Sequence, residues 1–206
     1  MIPILYDKTG NTKITNLTDC IQCIVTEERN GMFEAELVYS VHSSSSDKLI
    51  RGNIIVADAN DTLKEQKFRI YKVSKPINGR IKILARHISF DMARDVVTGL
   101  VIDNQSCEYA LNKLFSSSQF SQHFTGHSDI VNSQSTVING TTHILKAIVG
   151  VEGSIIDTFG TSPEILRDNY DFYIYENRGH DNGVTIEYGK NLTGLNLDTD
   201  DSNMIT

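Results

Sequence analysis

The first half of the chain alternates apolar and polar residues in short runs. In "CIQCIVTEERNGMFEAELVYSV", Ile21, Cys23 and Val25 share one face of a predicted strand, and a second alternating run follows Asn30-Gly31. Asn-Gly between such runs is a strong hairpin signal, because both residues tolerate a positive φ. The segments "NIIVAD", "KFRIYKVSK" and "GRIKILARHIS" add three more strands. This pattern predicts a small antiparallel β-barrel or sandwich.

Beyond Gly99 the apolar spacing becomes helical. "SCEYALNKLF" predicts a helix capped by Ser106, and "TTHILKAIVG" a second one capped by Thr141 or Thr142. "GSIIDTFG" predicts a third helical turn, and "SSSQFSQHFTGHSD" reads as a loop. "EILRD", "YDFYIYE" and "GVTIEYG" predict a short meander. The expected fold class is therefore α+β, mainly β.

The charge distribution divides the chain. The 206 residues carry a net charge of -7, with 14 Lys and Arg against 12 Asp and Glu in residues 1–98 and 5 against 14 in residues 99–206. The halves are thus +2 and -9, which predicts a boundary near Thr98-Gly99. An acidic half disfavours sequence-specific binding of nucleic acid.

The apolar runs and the cysteines of the sequence indicate the kind of compartment in which the protein is made. No run approaches the roughly 18 apolar residues of a membrane segment, and the N-terminus lacks the pattern of a signal peptide. The three cysteines are too few to hold the chain together by disulfides, so a reducing site of synthesis is expected.

Metal-binding patterns are weak. Cys20-x-x-Cys23 has no second pair, and in a regular strand the two side chains point to opposite faces. His123 and His127 are four residues apart but lie in the predicted loop. The sequence therefore predicts no metal site and no cofactor.

Cys107 is the strongest candidate nucleophile. It lies at a predicted helix N-terminus, where the helix dipole favours a thiolate, and His123, His127 and His143 follow as possible bases. It also falls on the apolar stripe of its helix, where a buried thiol is inert. We therefore predict no catalytic residue.

His87 lies at a strand-to-helix corner in "ILARHISFDMARD". It shares strand parity with Ile83 and Ala85, so it is expected to point inward. A buried neutral imidazole commonly hydrogen-bonds backbone groups that a corner leaves free. This predicts a structural role for His87, with Ser89 capping the turn that follows.

Two segments resemble one known family. "ILARHISFDMARD" resembles the N-terminal region of the phage minor tail structural proteins, the prophage tail endopeptidase or tail-associated lysin family of siphophages of Gram-positive bacteria. Residues 165–195 resemble the same family's most recognisable stretch, with Asp168 and Asn169 before a strand and then Gly189, Lys190 and Asn191 in "YGKNL". Both segments stand in the family's order and separation.

The resemblance implies a fold similar to the baseplate hub of contractile tails. Residues 1–98 would be an N-terminal tail-tube-like β-barrel domain, 99–188 an α+β insertion domain, and 189–206 the truncated start of a second barrel. The implied protein is a virion component at the tail tip, synthesised in the cytoplasm of the bacterial host. It would close the tail tube as a homotrimer in its full-length form.

The implied partners are other tail proteins. Such a hub would contact the distal tail protein and the tape measure protein, and the host cell surface indirectly. Peptidoglycan-cleaving domains of the family lie downstream, so no catalysis is expected in this region. Two alternatives stay open: a peptidoglycan endopeptidase using Cys107 with a histidine or a metal site, and a carbohydrate-binding adhesin, which the absence of Trp disfavours.

Overall fold

The structure is a computed structural model that describes residues 1–150, 152–160, 163–179, 183–192 and 194. The strands and helices of these ranges are β1 Ile4–Tyr6, β2 Lys13–Asn16, β3 Cys20–Glu27, β4 Phe33–Ser40, β5 Ile54–Ala57, β6 Gln66–Val73, β7 Arg80–His87, β8 Val96–Ser106, α1 Cys107–Ser116, β9 Thr125–Ser128, β10 Ser133–His143, α2 Ile144–Ile148, α3 Ile155–Phe159, β11 Glu164–Asp168 and β12 Asp171–Tyr175. Short 3₁₀ segments cover Ser46–Lys48 and Ile88–Arg94. No helix in these ranges is long and apolar enough to cross a membrane.

The first half forms a seven-stranded antiparallel sheet in the order β2-β1-β5-β6-β7-β4-β3. Alternation places every second side chain of β4 in the core, beginning with Phe33, which is fully buried. The predicted hairpin at Asn30-Gly31 joins β3 to β4, and Asn30 has a φ of 56°. The mainly β, α+β fold class is confirmed.

In the described residues the seven-stranded sheet does not close into a barrel. Among the described pairings no ladder joins the edge strands β2 and β3, although only residues 17–19 separate them in the chain. Leu17 in this link is fully buried, and its N–H donates to the carbonyl of Pro3 at 2.8 Å. The link bends into the core, and β2 is half the length of β3, so a continuous ladder does not form between them.

The second half combines a ribbon with a small mixed sheet. β8 and β10 pair antiparallel over eleven-residue strands, and a three-stranded sheet has the order β11-β12-β9. The third strand of this sheet is β9, which lies in the predicted loop and pairs parallel to β12. The predicted strand "GVTIEYG" is instead an exposed stretch without a ladder in the described residues. These side chains pack against no core in the described residues, so the alternating pattern does not lead to a strand.

The predicted cap of the second helix is also wrong. Thr141 and Thr142 belong to β10, where they pair with Thr98 and Val97, and His143 occupies the N-cap position of α2. The ladder therefore uses the residues that the sequence offered as caps. Ser106 caps α1 as predicted, since its Oγ accepts the N–H of Tyr109 at 3.2 Å.

Strand parity fails at the cysteine pair. A bulge between Cys20 and Gln22 shifts the register of β3, so Cys20 and Cys23 both pack against the core of the sheet while Ile21 is exposed. Both thiols are free.

The buried apolar residues form two large clusters. One lies within residues 5–85 and the other within residues 92–174, with Leu166 of β11 packing against the first. The boundary predicted at Thr98-Gly99 falls inside β8. The division into domains stays a prediction, and most of the predicted second barrel, residues 189–206, lies outside the described residues.

Candidate functional site

His87 lies at the end of β7 and is 1% exposed, as its strand parity predicts. Its Nδ1 accepts the backbone N–H of Ser89 at 3.3 Å and lies 2.9 Å from the Oγ of Ser89. His87 is therefore itself the N-cap of the 3₁₀ segment. The prediction that Ser89 caps this turn is wrong. The N-cap residue is His87, and the Oγ of Ser89 contacts the Nδ1 of His87.

The imidazole is packed between aromatic rings and is neutral. It stacks on Phe33 with centroids 4.5 Å apart, and Phe68 meets it edge-on at 5.7 Å. Burial, with a smaller contribution from the positive charge of Arg167, holds the pKa of His87 well below its usual 6.5. Because Nδ1 accepts a backbone N–H, the single ring proton lies on Nε2.

Gln66 joins His87 to the turn between β11 and β12. The Nε2–H of His87 donates to Gln66 Oε1 at 3.2 Å, and the backbone N–H of Asn169 donates to the same oxygen at 3.0 Å. The amide nitrogen of Gln66 donates to Asp168 Oδ1 at 2.7 Å and to the carbonyl of Lys64 at 2.9 Å. Gln66 is fully buried, and its amide group is fully hydrogen-bonded.

Asn169 makes the turn and holds it to the sheet. Its φ is 51°, a left-handed conformation that Asn tolerates better than most residues. Its side-chain Oδ1 accepts the backbone N–H of Lys67 at 2.9 Å. The two motifs that the sequence singled out, His87 and Asp168-Asn169, therefore meet at one buried junction.

A second contact fixes the other end of β11. The side chain of Asn30 donates to the carbonyl of Pro163 at 2.8 Å and accepts the N–H of Ile165 at 2.7 Å. Arg167 donates to the carbonyl of Gly31 at 2.9 Å. The side chains of Asn30 and Arg167 thus join the β3–β4 turn to β11.

Charged groups surround this contact. Glu164 forms an ion pair with Arg29, and Arg178 donates to Glu27 at 2.8 Å. Burial lowers the pKa of the Arg167 guanidinium to about 10, which leaves it charged at neutral pH. β11 is therefore held to the seven-stranded sheet at both of its ends.

Gly189, Lys190 and Asn191 lie in a separate exposed turn. Gly189 has a φ of 82°, Lys190 pairs with Glu187 at 2.5 Å, and Asn191 donates to the carbonyl of Thr185 at 2.9 Å. These contacts are local to the turn. The structure does not bring this part of the motif to His87.

The candidate nucleophile is buried. Cys107 is fully buried in α1, and burial raises the pKa of its thiol to about 11. His127 contacts Asp171 at 3.0 Å and stacks on Tyr173, and burial lowers the pKa of His123. Within the described residues no group of three or more His, Cys, Asp or Glu could hold a metal ion.

Two buried polar residues escaped the sequence analysis. Gln66 begins an ordinary alternating strand, and Asp95 directly follows the 3₁₀ segment. Asp95 accepts the backbone N–H groups of Phe120 and Ser121, each at 2.8 Å. Burial acts to raise its pKa, but these hydrogen bonds lower it overall. The signal that could have found Gln66 was a polar residue at an inward strand position, and Asp95 has no comparable local signal.

The geometry is that of a structural junction. The hydrogen-bonded atoms of His87 and Gln66 are enclosed, and every buried side-chain nitrogen or oxygen of the described residues has a partner. A fully satisfied buried network fixes two elements relative to each other. It offers no solvent-facing group to a substrate.

The chain resembles known proteins in its fold and not in its sequence. No protein-family model matches the sequence, and no curated protein matches it significantly. Among solved structures, the prophage tail protein gp18 from Listeria monocytogenes matches 94% of this chain with a TM-score of 0.70 and 18% identity. The match covers 56% of that protein, so the chain spans about half its length.

A tail protein from Neisseria meningitidis is less similar. It matches 84% of this chain and 50% of its own, with a TM-score of 0.44 and 10% identity, which is too low to establish a common fold. The Listeria match does establish one. The chain has the fold of a prophage tail protein over nearly its whole length.

Proposed function

We propose that the chain is a structural part of the tip of a siphophage or prophage tail. The observation that carries this proposal is the fold shared with the Listeria prophage tail protein across 94% of the chain. The order of the two family-like segments along the sequence supports it independently. Membership of the tail endopeptidase family remains part of this proposal.

The proposed role is that of a hub. Three copies of the full-length protein would close the tail tube and dock on the distal tail protein, with the tape measure protein ending against them. Positive charge facing a bore would hold passing DNA, so the acidic residues 99–206 suit that position. Alone, this chain is expected to be a monomer or a weak, concentration-dependent oligomer.

The junction around Gln66 supports a mechanical role. A hub must keep its parts in one orientation while the tail attaches, and a buried network with all partners satisfied does this without chemistry. The contact of β11 with the β3–β4 turn adds a second point of attachment. The sheet and the hairpin then move as one body.

We propose that this region carries no catalysis. The peptidase alternative needs a Cys107 thiolate, but that thiol is fully buried and its pKa is about 11. Purified chain incubated with Gram-positive cell walls should release no peptide. Hydrolysis that disappears in Cys107→Ala would establish the peptidase, and hydrolysis retained in that variant would point to the histidines.

Immunogold labelling tests the proposed location. Antibodies against this chain, applied to virions released from the induced host, should label the end of the tail distal to the capsid. A matched serum depleted on the purified chain is the control. Labelling along the tail shaft, on the capsid, or on no part of intact virions would overturn the proposal.

A further inference from the structure

Four asparagines of the chain stand directly before glycine, at Asn30, Asn78, Asn139 and Asn182. An Asn-Gly pair can modify itself without an enzyme, because glycine has no Cβ to hinder attack of its backbone nitrogen on the asparagine side chain. Asn182 lies outside the described residues, and Asn139 lies within β10 between two paired segments. Asn30 and Asn78 both lie in hairpin turns and can be compared directly.

These two asparagines are alike in sequence, exposure and backbone conformation. Asn30 lies between β3 and β4 and Asn78 between β6 and β7. Both residues are exposed, and their φ values are 56° and 50°. These three properties therefore predict the same reactivity for both residues, and only their hydrogen bonds differ.

Asn30 is held at three points. Its Nδ2 donates to the carbonyl of Pro163 at 2.8 Å, and its Oδ1 accepts the N–H of Ile165 at 2.7 Å. The N–H of Gly31, which carries the nitrogen that would attack, donates to the carbonyl of Glu28 at 3.1 Å. A reaction at Asn30 must therefore break contacts with β11 as well as a contact within the turn.

The reacting groups of Asn78 carry no such restraint. Its side chain makes no hydrogen bond to a described residue, and the N–H of Gly79 donates to none of them. The carbonyl of Gly79 accepts the N–H of Val41 at 3.0 Å, and Ile77 and Arg80 exchange backbone hydrogen bonds at 2.9 and 3.0 Å. These contacts hold the base of the turn, while local opening of an exposed tip costs little free energy.

We infer that Asn78 is a site of spontaneous deamidation and that the contact with β11 protects Asn30 from the same reaction. The backbone nitrogen of Gly79 loses its proton and bonds to Cγ of Asn78, and the Cγ–Nδ2 bond breaks to release ammonia. Water then opens the resulting succinimide, either at the new bond to give aspartate or at the original peptide bond to give isoaspartate.

Each product changes the hairpin. Residues 71–82 carry four Lys or Arg and no Asp or Glu, so the product places the first negative charge in this segment. Isoaspartate also lengthens the main chain by one carbon at the tip. This inference goes beyond the proposed tail role and does not depend on it.

Peptide mapping by mass spectrometry of the purified chain, aged in mildly alkaline buffer, tests the inference. In the folded chain Asn78 should convert at least about tenfold faster than Asn30, a factor that one or two hydrogen bonds of ordinary strength supply. A parallel sample aged in denaturant keeps the sequence and lacks the contact with β11. In that sample both asparagines should convert at similar rates.

Asn78→Gly is the matched control, because glycine keeps the left-handed backbone and removes the reactive amide. Its map should lack the converted hairpin peptide, and its Asn30 should convert as slowly as in wild type. Equal rates for Asn30 and Asn78 in the folded chain would overturn the inference. So would an Asn78 that reacts only in denaturant, or an Asn30 that stays slow there, because the sequence and not the contact would then explain the difference.

Discussion

His87 and Asn169 donate to one and the same acceptor, the Oε1 of Gln66, at 3.2 and 3.0 Å. The first residue ends a strand of the large sheet and the second forms the turn of the β11–β12 hairpin. His87 is buried and Asn169 is half-buried, and both depend on the fully buried amide of Gln66, which a third strand supplies. Stability of the hairpin and stability of the corner are therefore coupled.

Gln66→Ala should destabilise the chain strongly. The change leaves the Nε2–H of His87 and the N–H of Asn169 without an acceptor, and each buried unpaired group costs about 1–3 kcal/mol. Denaturant unfolding should show a lower midpoint with an unchanged slope. Lys72→Ala, an exposed position on the same strand, is the control and should change the midpoint little. Equal midpoints for Gln66→Ala and wild type would show that the junction is not formed.

Gln66→Glu should destabilise the chain in a pH-dependent way. The introduced carboxylate keeps an acceptor for His87 and Asn169 but faces the carboxylate of Asp168, which accepts a hydrogen bond from the wild-type amide at 2.7 Å. Burial and this like charge raise the folded pKa of the introduced carboxyl above its usual value of about 4.3. Above the pKa of this carboxyl in the folded state, the variant loses the full amount of stability. The loss shrinks as the pH falls and vanishes below the pKa of the same carboxyl in the unfolded chain. Melting curves of both proteins at several pH values would show the gap closing in acid.

The chain should lose stability as the pH falls below 6.5, partly through His87. Its pKa is lowered in the folded state by burial and by Arg167, so below 6.5 only the unfolded chain binds the proton readily. The contribution of His87 is complete above 6.5 and falls by up to about 1.4 kcal/mol per pH unit until the folded pKa is reached. In His87→Gln the slope between neutral pH and that point should be shallower. Parallel stability curves would mean that His87 titrates normally.

The sequence predicted most strands of the large sheet because one face of that sheet is buried. The alternation of apolar and polar residues in β4 and β7 follows from this burial. Asn30-Gly31 directly marks the turn between β3 and β4. The inward direction of His87 came from the same parity. Helix α1 was predictable since its apolar stripe and its Ser106 cap are both local signals.

The remaining features depend on partners distant in sequence. β9 has no alternation of its own, and its strand forms because β12 supplies a parallel neighbour. The bulge at Cys20 changes which face of the sheet Cys20 lies on, and the spacing of residues in the sequence does not show such a bulge. Gln66 looks like any polar strand residue until Asn169 is brought beside it, so the centre of the junction was missed while its two outer members were found.

Cys107 should resist thiol reagents in the folded chain. Its thiol is fully buried, whereas Cys20 and Cys23 are half-buried on the edge strand β3. Burial raises the pKa of Cys107 and of Cys23 alike, to about 11, so access of the reagent and not acidity separates the two thiols. Mass spectrometry after brief labelling with iodoacetamide at neutral pH should therefore find Cys107 unmodified, and denaturant should make all three react. A Cys107 that reacts faster in the folded chain than in denaturant would indicate an activated thiolate and favour the peptidase alternative.

Gly126→Ala should destabilise the packing of α1 on β9. A Cβ at this position would lie 2.4 Å from the Cβ of Leu111, so the helix and the strand would have to separate. The two hydrogen bonds between Asn112 and Gly126 would be distorted as well. The side chain of Asn112 donates to the carbonyl of Gly126 at 2.8 Å and accepts the N–H of Gly126 at 2.9 Å. Overpacking of this kind costs about 1–3 kcal/mol. Gly179→Ala, where an added Cβ meets no atom within 4 Å, is the matched control and should melt like wild type. If Gly126→Ala also melts like wild type, α1 and β9 do not approach each other in this way, and the core of the second half must be packed differently.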